Sequence, residues 1–125
     1  KSPADMQGTS LVPLFKGHTP KDWRTHFYYH YYEFPGAHSV ARHYGVTNGR
    51  HKLIHFYQNN EWELFDLKKD PNELQSVYGN SDYKTIQSDL LAELKRLRIH
   101  YKVPEEDPVP PKRKRPNQPN RPKKK

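Results

Sequence analysis

The chain has 125 residues, enough for one small domain with a modest core, and its composition is polar, with 32% hydrophobic and 29% charged residues. The mean hydropathy is -1.21, and no apolar run approaches the roughly 20 residues that span a membrane. There are no cysteines, which excludes disulfides, thiolate metal sites and a cysteine nucleophile.

The net charge of +8 comes from the C-terminal tail. Residues 112–125 carry eight of the 22 Lys/Arg residues, while residues 1–107 hold the other 14 together with all 14 Asp/Glu residues. The body of the protein is therefore formally neutral. A general attraction to polyanions is expected from the tail and not from the fold.

Residues 1–25 are predicted to form loops and short turns. The segment "GTSLVPLFKG" holds a small apolar cluster that ends at Gly17, and Pro13 allows a helix there only in the first turn. The segment "HTPKDWR" is typical of a turn or a helix start, with Thr19 as the N-cap and Pro20 at the first helical position.

The aromatic segment 26–34 predicts a β-strand. Its alternate side chains lie on opposite faces, and both sets are aromatic: Phe27, Tyr29 and Tyr31 on one face, Tyr28, His30 and Tyr32 on the other. Both faces are therefore expected to be covered. Pro35-Gly36 ends the strand, and 35–42 is predicted to be a loop.

The segment "HYGVTNGRHKLIHFYQ" predicts a hairpin that turns at Asn48-Gly49, since both turn residues of an Asn-Gly hairpin take positive φ. Its second strand runs over 51–57. Asn59-Asn60 then turns the chain into a further strand over 61–67. These three strands predict an antiparallel meander, with 26–34 as a fourth strand.

Two helices are predicted after the meander. Asp70 as N-cap, Pro71 at the first position and Glu73 at the third predict a short helix to about residue 78. Asn80 or Ser81 then caps a longer helix over 82–101. Its apolar residues fall on one stripe, which is expected to lie on the sheet: Ile86, Leu90, Leu94, Leu97 and Tyr101.

The predicted fold class is α+β, with a small antiparallel sheet of about four strands packed against a C-terminal helix. This domain occupies residues 1–103. Residues 104–125 contain seven prolines and almost no apolar side chain, so they are predicted to be a disordered basic tail.

The eight histidines invite a metal site, but their spacing does not favour one. His26 and His30 would lie about 13 Å apart on a strand, and His51 and His55 have the same spacing. His38 and His43 flank a loop and lack an evident third ligand. No Gly-rich phosphate loop and no nucleophile–base arrangement is present, so the sequence by itself indicates neither a metal centre nor a catalytic motif.

Three ordered blocks carry a resemblance to a known family: "GTSLVPLFKG", "WRTHFYYHYYEFPGAHSVARHYGVTNGRHKLIHFY" and "WELFDLKKDPNELQSVYGN". Their order and spacing closely resemble the C-terminal region of type I sulfatases. They are most similar to the bacterial branch related to N-sulphoglucosamine sulphohydrolase and other glycosaminoglycan sulfatases. The resemblance covers about residues 5–104, with Ser76 where Asn is common in the family.

The resemblance implies an alkaline-phosphatase-like C-terminal subdomain that docks on a larger upstream α/β domain. In the family, formylglycine made from a C/S-x-P-x-R motif and a calcium ion lie in that upstream domain. This chain contains neither a cysteine nor such a motif. It is therefore expected to hold no cofactor and no catalytic residue, and to be inactive alone.

The resemblance also implies that this region helps to wall the substrate cleft, and the segment "GAHSVARHYG" is the best candidate to reach it. Imidazole and guanidinium groups suit a sulfated sugar, so His38, Arg42 and His43 are expected to bind substrate. These residues would otherwise cap strand ends or contact the upstream domain. The other strand histidines are assigned to packing: His26, His30, His51 and His55.

The preferred hypothesis is the C-terminal part of a sulfatase acting on a sulfated sugar, periplasmic or extracellular by family, with no membrane or nucleic-acid partner. Because the chain starts at Lys1, it is expected to be a piece of a longer protein. The alternatives are a stand-alone polyanion-binding module that uses the tail, and a histidine metal protein.

Overall fold

The computed structural model describes Pro3, residues 5–34 and residues 36–105. The predicted basic tail lies outside the described residues from 106 onward. The predicted boundary between domain and tail at 103/104 falls just inside them.

Four strands form one antiparallel sheet in the order β1-β2-β3-β4, which confirms the predicted meander. Their bounds are β1 Phe27–Tyr31, β2 His43–Thr47, β3 His51–Phe56 and β4 Glu61–Asp66. Each strand pairs with the strand that follows it in the sequence. Strand β1 is shorter than the predicted 26–34 and lies at one edge of the sheet.

The β2–β3 hairpin turns one residue later than predicted. The Asn48 N–H donates to the His51 carbonyl at 3.1 Å, so Gly49 and Arg50 are the central residues. Only Gly49 takes a positive φ, of 85°, as in turns with glycine at the first central position. The Asn48 side chain accepts from the Arg50 and His51 N–H groups at 3.0 and 2.7 Å, and this capping favours the shifted turn.

Helix α1 spans Val12–Phe15, with Pro13 in its first turn, and ends before Gly17, whose φ is 71°. The segment "HTPKDWR" forms a turn and not the start of a helix, since the Pro20 carbonyl accepts from the Trp23 N–H at 3.1 Å. Helix α2 spans Lys84–His100 and follows a 3₁₀ turn at Ser81–Tyr83. Asn80 caps this turn by accepting from the Asp82 N–H at 2.9 Å. Of the two predicted caps, Asn80 and Ser81, the structure therefore confirms Asn80.

The core lies between helix α2 and one face of the sheet, here called the inner face. Leu90, Leu94 and Leu97 are the buried residues of α2, at the spacing of the predicted stripe. They pack against inner-face residues of β2, β3 and β4: Tyr44, Val46, Leu53 and Leu64. Tyr28 of β1 packs at the margin of this cluster. Burial of this apolar surface is the main force that holds α2 on the sheet.

The helix predicted after Asp70 does not form. Asp70 accepts from the Leu74 and Gln75 N–H groups at 2.7 and 2.8 Å, four and five residues further on, whereas an N-cap accepts from the second or third helical residue. In addition, Glu73 has a φ of 53°, which a right-handed helix excludes. Its carboxylate binds the Lys52 ammonium at 2.6 Å and does not return to the cap.

The next residues bind the free edge of β4. The Val77 N–H donates to the Leu64 carbonyl at 2.8 Å, and the Leu64 N–H donates to Ser76 Oγ at 3.1 Å. These bonds satisfy both backbone groups that buried Leu64 presents at the sheet edge. The segment 76–77 therefore lies along the edge of β4 instead of continuing a helix, and Ser76 supplies the acceptor for the Leu64 N–H.

The other face of the sheet, here called the outer face, is only partly covered. Burial of Ile54 and Phe65 on this face is nearly complete. Phe27 on the same face is 54% exposed, so the described residues do not by themselves complete the predicted cover on this face of β1. None of the helices in the described part of the chain is both long and apolar enough to cross a membrane.

Candidate functional site

The predicted binding residues lie where the chain passes from the edge strand β1 to the buried strand β2. Residues 36–42 form a loop, here called the 36–42 loop, that carries two of them and ends at the third. The Ser39 N–H donates to the Gly36 carbonyl at 3.2 Å, which closes a four-residue turn. Ser39 has a φ of 52°. His38 lies at the third position of this turn, and its side chain is exposed.

Arg42 closes the loop. Its backbone N–H donates to Gln58 Oε1 at 2.9 Å. Gln58 lies in the turn between β3 and β4, 16 residues away in sequence. The β2–β3 ladder pairs Tyr44 with His55, and continuing this register places Arg42 opposite the start of that turn. The Gln58 side chain therefore replaces the next backbone bond of the ladder.

His43 is the first residue of β2, and its ring lies on the outer face. It stacks on Tyr31 with ring centroids 5.3 Å apart and contacts the Phe56 ring at 5.0 Å. His43 Nδ1 donates to the Ala41 carbonyl at 2.8 Å, because a carbonyl can only accept. In the neutral ring, Nε2 is then the acceptor, and in the charged ring it is a donor.

The structure thus places His38, Arg42 and His43 on one short loop and its adjoining strand end. His38 is exposed on the turn, while Arg42 and His43 are half-buried and held by backbone contacts. Gln58 was not expected from the sequence. The hairpin register is the signal that points to it, since counting outward from the β2–β3 turn brings 58 opposite the end of the loop.

The contacts of the other strand histidines are packing contacts, as expected. His30 hydrogen-bonds the Tyr28 and Tyr57 hydroxyls at 3.2 and 3.3 Å. His55 stacks on Trp62 with centroids 3.9 Å apart.

The two histidines at strand ends are held by polar neighbours. His51 Nε2 lies 3.7 Å from the Asp66 carboxylate. His26 lies 3.6 Å from the Glu93 carboxylate. Burial holds the pKa of His51 below its usual value of 6.5.

Tyr29 lies on the outer face beside this loop. Its ring lies over Gly45, the residue directly opposite on β2. Burial raises the pKa of the Tyr29 hydroxyl, and the nearby carboxylates of Glu73 and Glu63 raise it further. The hydroxyl is therefore a neutral group at physiological pH. It is buried and has no hydrogen-bond partner among the described residues.

A separate groove of about 550 Å³ lies between residues 7–26 and the C-terminal half of α2. Its charged lining is mixed, since Arg24 and Arg96 are balanced by Asp22 and Glu93. Both Glu93 oxygens accept from the Arg96 guanidinium, at 2.7 and 2.8 Å. The formal charges of these four side chains cancel, and the groove also carries His26 and His100.

Within residues 5–34 and 36–105, no group of three or more His, Asp or Glu side chains is arranged to hold a metal ion.

Comparison with known proteins gives a family. The family model described as N-sulphoglucosamine sulphohydrolase, C-terminal, matches residues 1–100. An N-acetylglucosamine-6-O-sulfatase of Bacteroides thetaiotaomicron is 47% identical over 103 residues, which cover 80% of this chain and 18% of that protein.

Solved structures give the same fold. A structure described as a complex with its substrate D-glucosamine-2-N,6-O-disulfate has a TM-score of 0.79 and 44% identity, over 84% of this chain and 22% of that one. The phosphonate monoester hydrolase of Agrobacterium radiobacter has a TM-score of 0.58 and 26% identity, over 75% of this chain and 21% of that one. The chain thus spans about a fifth of the length of the relatives it matches.

Proposed function

The chain belongs to the family of N-sulphoglucosamine sulphohydrolase C-terminal domains, and from this premise we propose that it completes a sulfatase acting on a sulfated amino sugar. The observation that carries the proposal is the match across residues 1–100, together with 47% identity to an N-acetylglucosamine-6-O-sulfatase. The substrate class is a sulfated glucosamine of the glycosaminoglycan type. The alternative of a stand-alone polyanion-binding module is not supported by these comparisons.

The catalytic groups belong to the upstream part of the polypeptide in this proposal. The chain has no cysteine and no S-x-P-x-R motif from which formylglycine is made. The described residues also offer no cluster of metal ligands, so they do not fit the calcium ion that the family uses. This domain therefore contributes fold and cleft shape, while formylglycine and calcium lie upstream.

The partner of this domain is the upstream α/β domain of the same polypeptide. The described chain leaves large apolar side chains exposed in helix α1 and on the outer face, with Phe15 at 82% and Phe27 at 54%. Leu11 and Val12, close to Phe15 in the sequence, are also 50% and 53% exposed, and a cluster of large apolar side chains in water is typical of a surface covered by a partner. An upstream domain is the occupant that fits a chain spanning a fifth of its relatives' length.

Docking is expected to slow hydrogen exchange in α1. The amides of Phe15 and Lys16 would exchange at least about tenfold more slowly in the complete polypeptide than in the 125-residue chain, because the covering domain excludes water. Exchange measured by mass spectrometry checks this. The amide of Leu53, buried in the sheet of both forms, is the internal control. Equal rates at Phe15 in both forms would mean that α1 is not a docking surface.

Substrate binding is assigned to the 36–42 loop and the start of β2. We assign to His38 a contact with the sugar or its sulfate, and its exposure on a closed turn supports this assignment. Arg42 supplies a positive charge that suits the sulfate. His43 keeps Nδ1 on the Ala41 carbonyl and offers Nε2 to a sugar hydroxyl or, when protonated, to the sulfate.

The test uses the complete polypeptide and a 6-O-sulfated N-acetylglucosamine, with N-sulfated glucosamine as the second substrate. His38→Ala is expected to lower kcat/KM about tenfold, since a hydrogen bond to a charged group contributes about 1.5 kcal/mol and each 1.4 kcal/mol is about a factor of ten. His18→Ala, the same change at an exposed histidine outside the loop, is expected to leave kcat/KM unchanged.

The results separate the parts of the proposal. Sulfate release from neither substrate by the unmodified polypeptide would overturn the substrate class. Release that His38→Ala leaves unaltered would remove the loop from the binding site. We also propose a periplasmic or extracellular location for the whole enzyme, which rests on family membership alone; fractionation of the source cells checks it, and activity confined to the cytoplasm would contradict it.

A further inference from the structure

The 36–42 loop is attached to the rest of the fold through its C-terminal end. Ordinary ladder pairing of β2 with β3 ends at Tyr44. Beyond this point the Arg42 N–H is bound by the Gln58 side chain at 2.9 Å, and the Ala41 carbonyl is bound by His43 Nδ1 at 2.8 Å. His43 directly follows the loop, whereas Gln58 belongs to the turn between β3 and β4.

Gln58 itself lies on a well-supported turn. The Asn59 N–H donates to the Phe56 carbonyl at 3.1 Å. Asn60 takes a φ of 54°, and its side-chain oxygen lies 3.3 Å from His55 Nε2. The His55 ring is in turn stacked on Trp62. The backbone at Gln58 is thus held by the β3–β4 hairpin, and the exposed Gln58 side chain extends from it to the Arg42 N–H.

We propose that Gln58 is a positioning residue for substrate binding, which sets the direction of the 36–42 loop by accepting a hydrogen bond from the Arg42 N–H. This inference rests on the proposed role of the loop in binding a sulfated sugar. Gln58 acts through the loop and needs no contact with the substrate. Because the loop contributes binding in this account and not the nucleophile, its misplacement raises KM and leaves kcat unchanged.

The experiment compares variants of the complete polypeptide on the sulfated sugar. Gln58→Met keeps the length of the side chain and removes the acceptor, and it is expected to raise KM about fivefold with kcat unchanged. Gln58→Glu keeps an acceptor oxygen and is expected to give a smaller rise in KM than Gln58→Met. Asn59→Ala, in the same turn, is the control and is expected to keep the unmodified KM.

A double-mutant cycle with His38→Ala distinguishes positioning from a general loss of structure. If Gln58 acts through the loop, adding Gln58→Met to His38→Ala costs clearly less than Gln58→Met costs alone. Full additivity, or a fall in kcat with a lower unfolding temperature, would overturn the proposal.

The failures are also distinguishable. If His38→Ala raises KM and Gln58→Met does not, only the role of Gln58 is wrong. If neither variant alters KM, the loop is not a binding element, and the proposed site falls with it.

Discussion

Replacing Gly45 by alanine is expected to destabilise the chain by about 3 kcal/mol, the upper part of the range for overpacking a filled interior. A Cβ atom at this position would lie 2.5 Å from the Leu53 carbonyl oxygen and 2.7 Å from Cε1 of Tyr29. The carbonyl belongs to the β2–β3 ladder and to a fully buried residue. It cannot move away without distorting two central strands.

Urea unfolding of the 125-residue chain, followed by tryptophan fluorescence, measures this loss. Gly8→Ala is the matched control, because a Cβ atom there meets no atom within 4 Å, and its midpoint is expected to stay unchanged. Adding Tyr29→Ala to Gly45→Ala relieves only the ring contact, so the midpoint stays low. A midpoint for Gly45→Ala equal to that of Gly8→Ala would show that β2 and β3 are not paired in this register.

Loss of the Asp66 carboxylate is expected to be the most destabilising single carboxylate substitution in the described chain. The side chain is 2% exposed at the end of β4 and binds the Arg50 guanidinium through both oxygens, at 3.3 and 3.1 Å. It also accepts from the Tyr83 hydroxyl at 3.3 Å and from the Lys68 N–H at 3.2 Å. Asp66→Ala leaves these donors without their common acceptor. It also removes the link between Arg50 of the hairpin turn and Tyr83 of the 3₁₀ turn.

The same carboxylate makes stability depend on pH. The hydrogen-bonded Arg50 guanidinium lowers the pKa of Asp66 to about 2, from 3.8. Because the folded pKa is the lower one, the stabilisation is complete above about pH 4 and is lost as pH falls towards 2. The pKa of His51 is also lowered, chiefly by burial. Protonation of His51 therefore favours the unfolded chain, and the stability falls as pH falls below 6.5.

Urea midpoints measured from pH 7 to pH 2 check this. Asp66→Asn is expected to lower the midpoint at pH 7 and to flatten the profile below pH 4. Asp89→Ala, at an exposed position of α2, is expected to keep the unmodified profile. An Asp66→Asn profile that falls as steeply below pH 4 as the unmodified one would assign the acid sensitivity to other groups.

Most of the architecture was predictable from local patterns. Alternation and aromatic content predicted the strands, and the Asn48-Gly49 pair predicted the hairpin, although its turn is centred one residue later, on Gly49 and Arg50. The leucine stripe of 90, 94 and 97 predicted the buried face of α2. These features depend on residues close in sequence, so their period is visible in the chain itself. The resemblance to sulfatases rested on three ordered blocks, and the family match over residues 1–100 confirms it.

The errors arose where a distant group competes with a local signal. Asp70 accepts backbone hydrogen bonds, but from Leu74 and not from the first helical turn that an N-cap binds, and the edge of β4 bound Ser76 and Val77 instead. Lys52, on the strand next to the edge strand that binds these residues, took the Glu73 carboxylate. A sequence pattern carries no record of such partners, because they meet only after the strands have paired.

The sequence by itself determined the family, the four strands, the long helix and the loop that carries His38 and Arg42. Only the tertiary structure decided how that loop is held, with Gln58 bound to the Arg42 N–H, and which residues surround Asp66. The physical reason is the distance in sequence between the groups that interact. Secondary structure follows from interactions within a few residues, whereas these hydrogen bonds join groups of residues that are 16 positions apart and come together only through strand register.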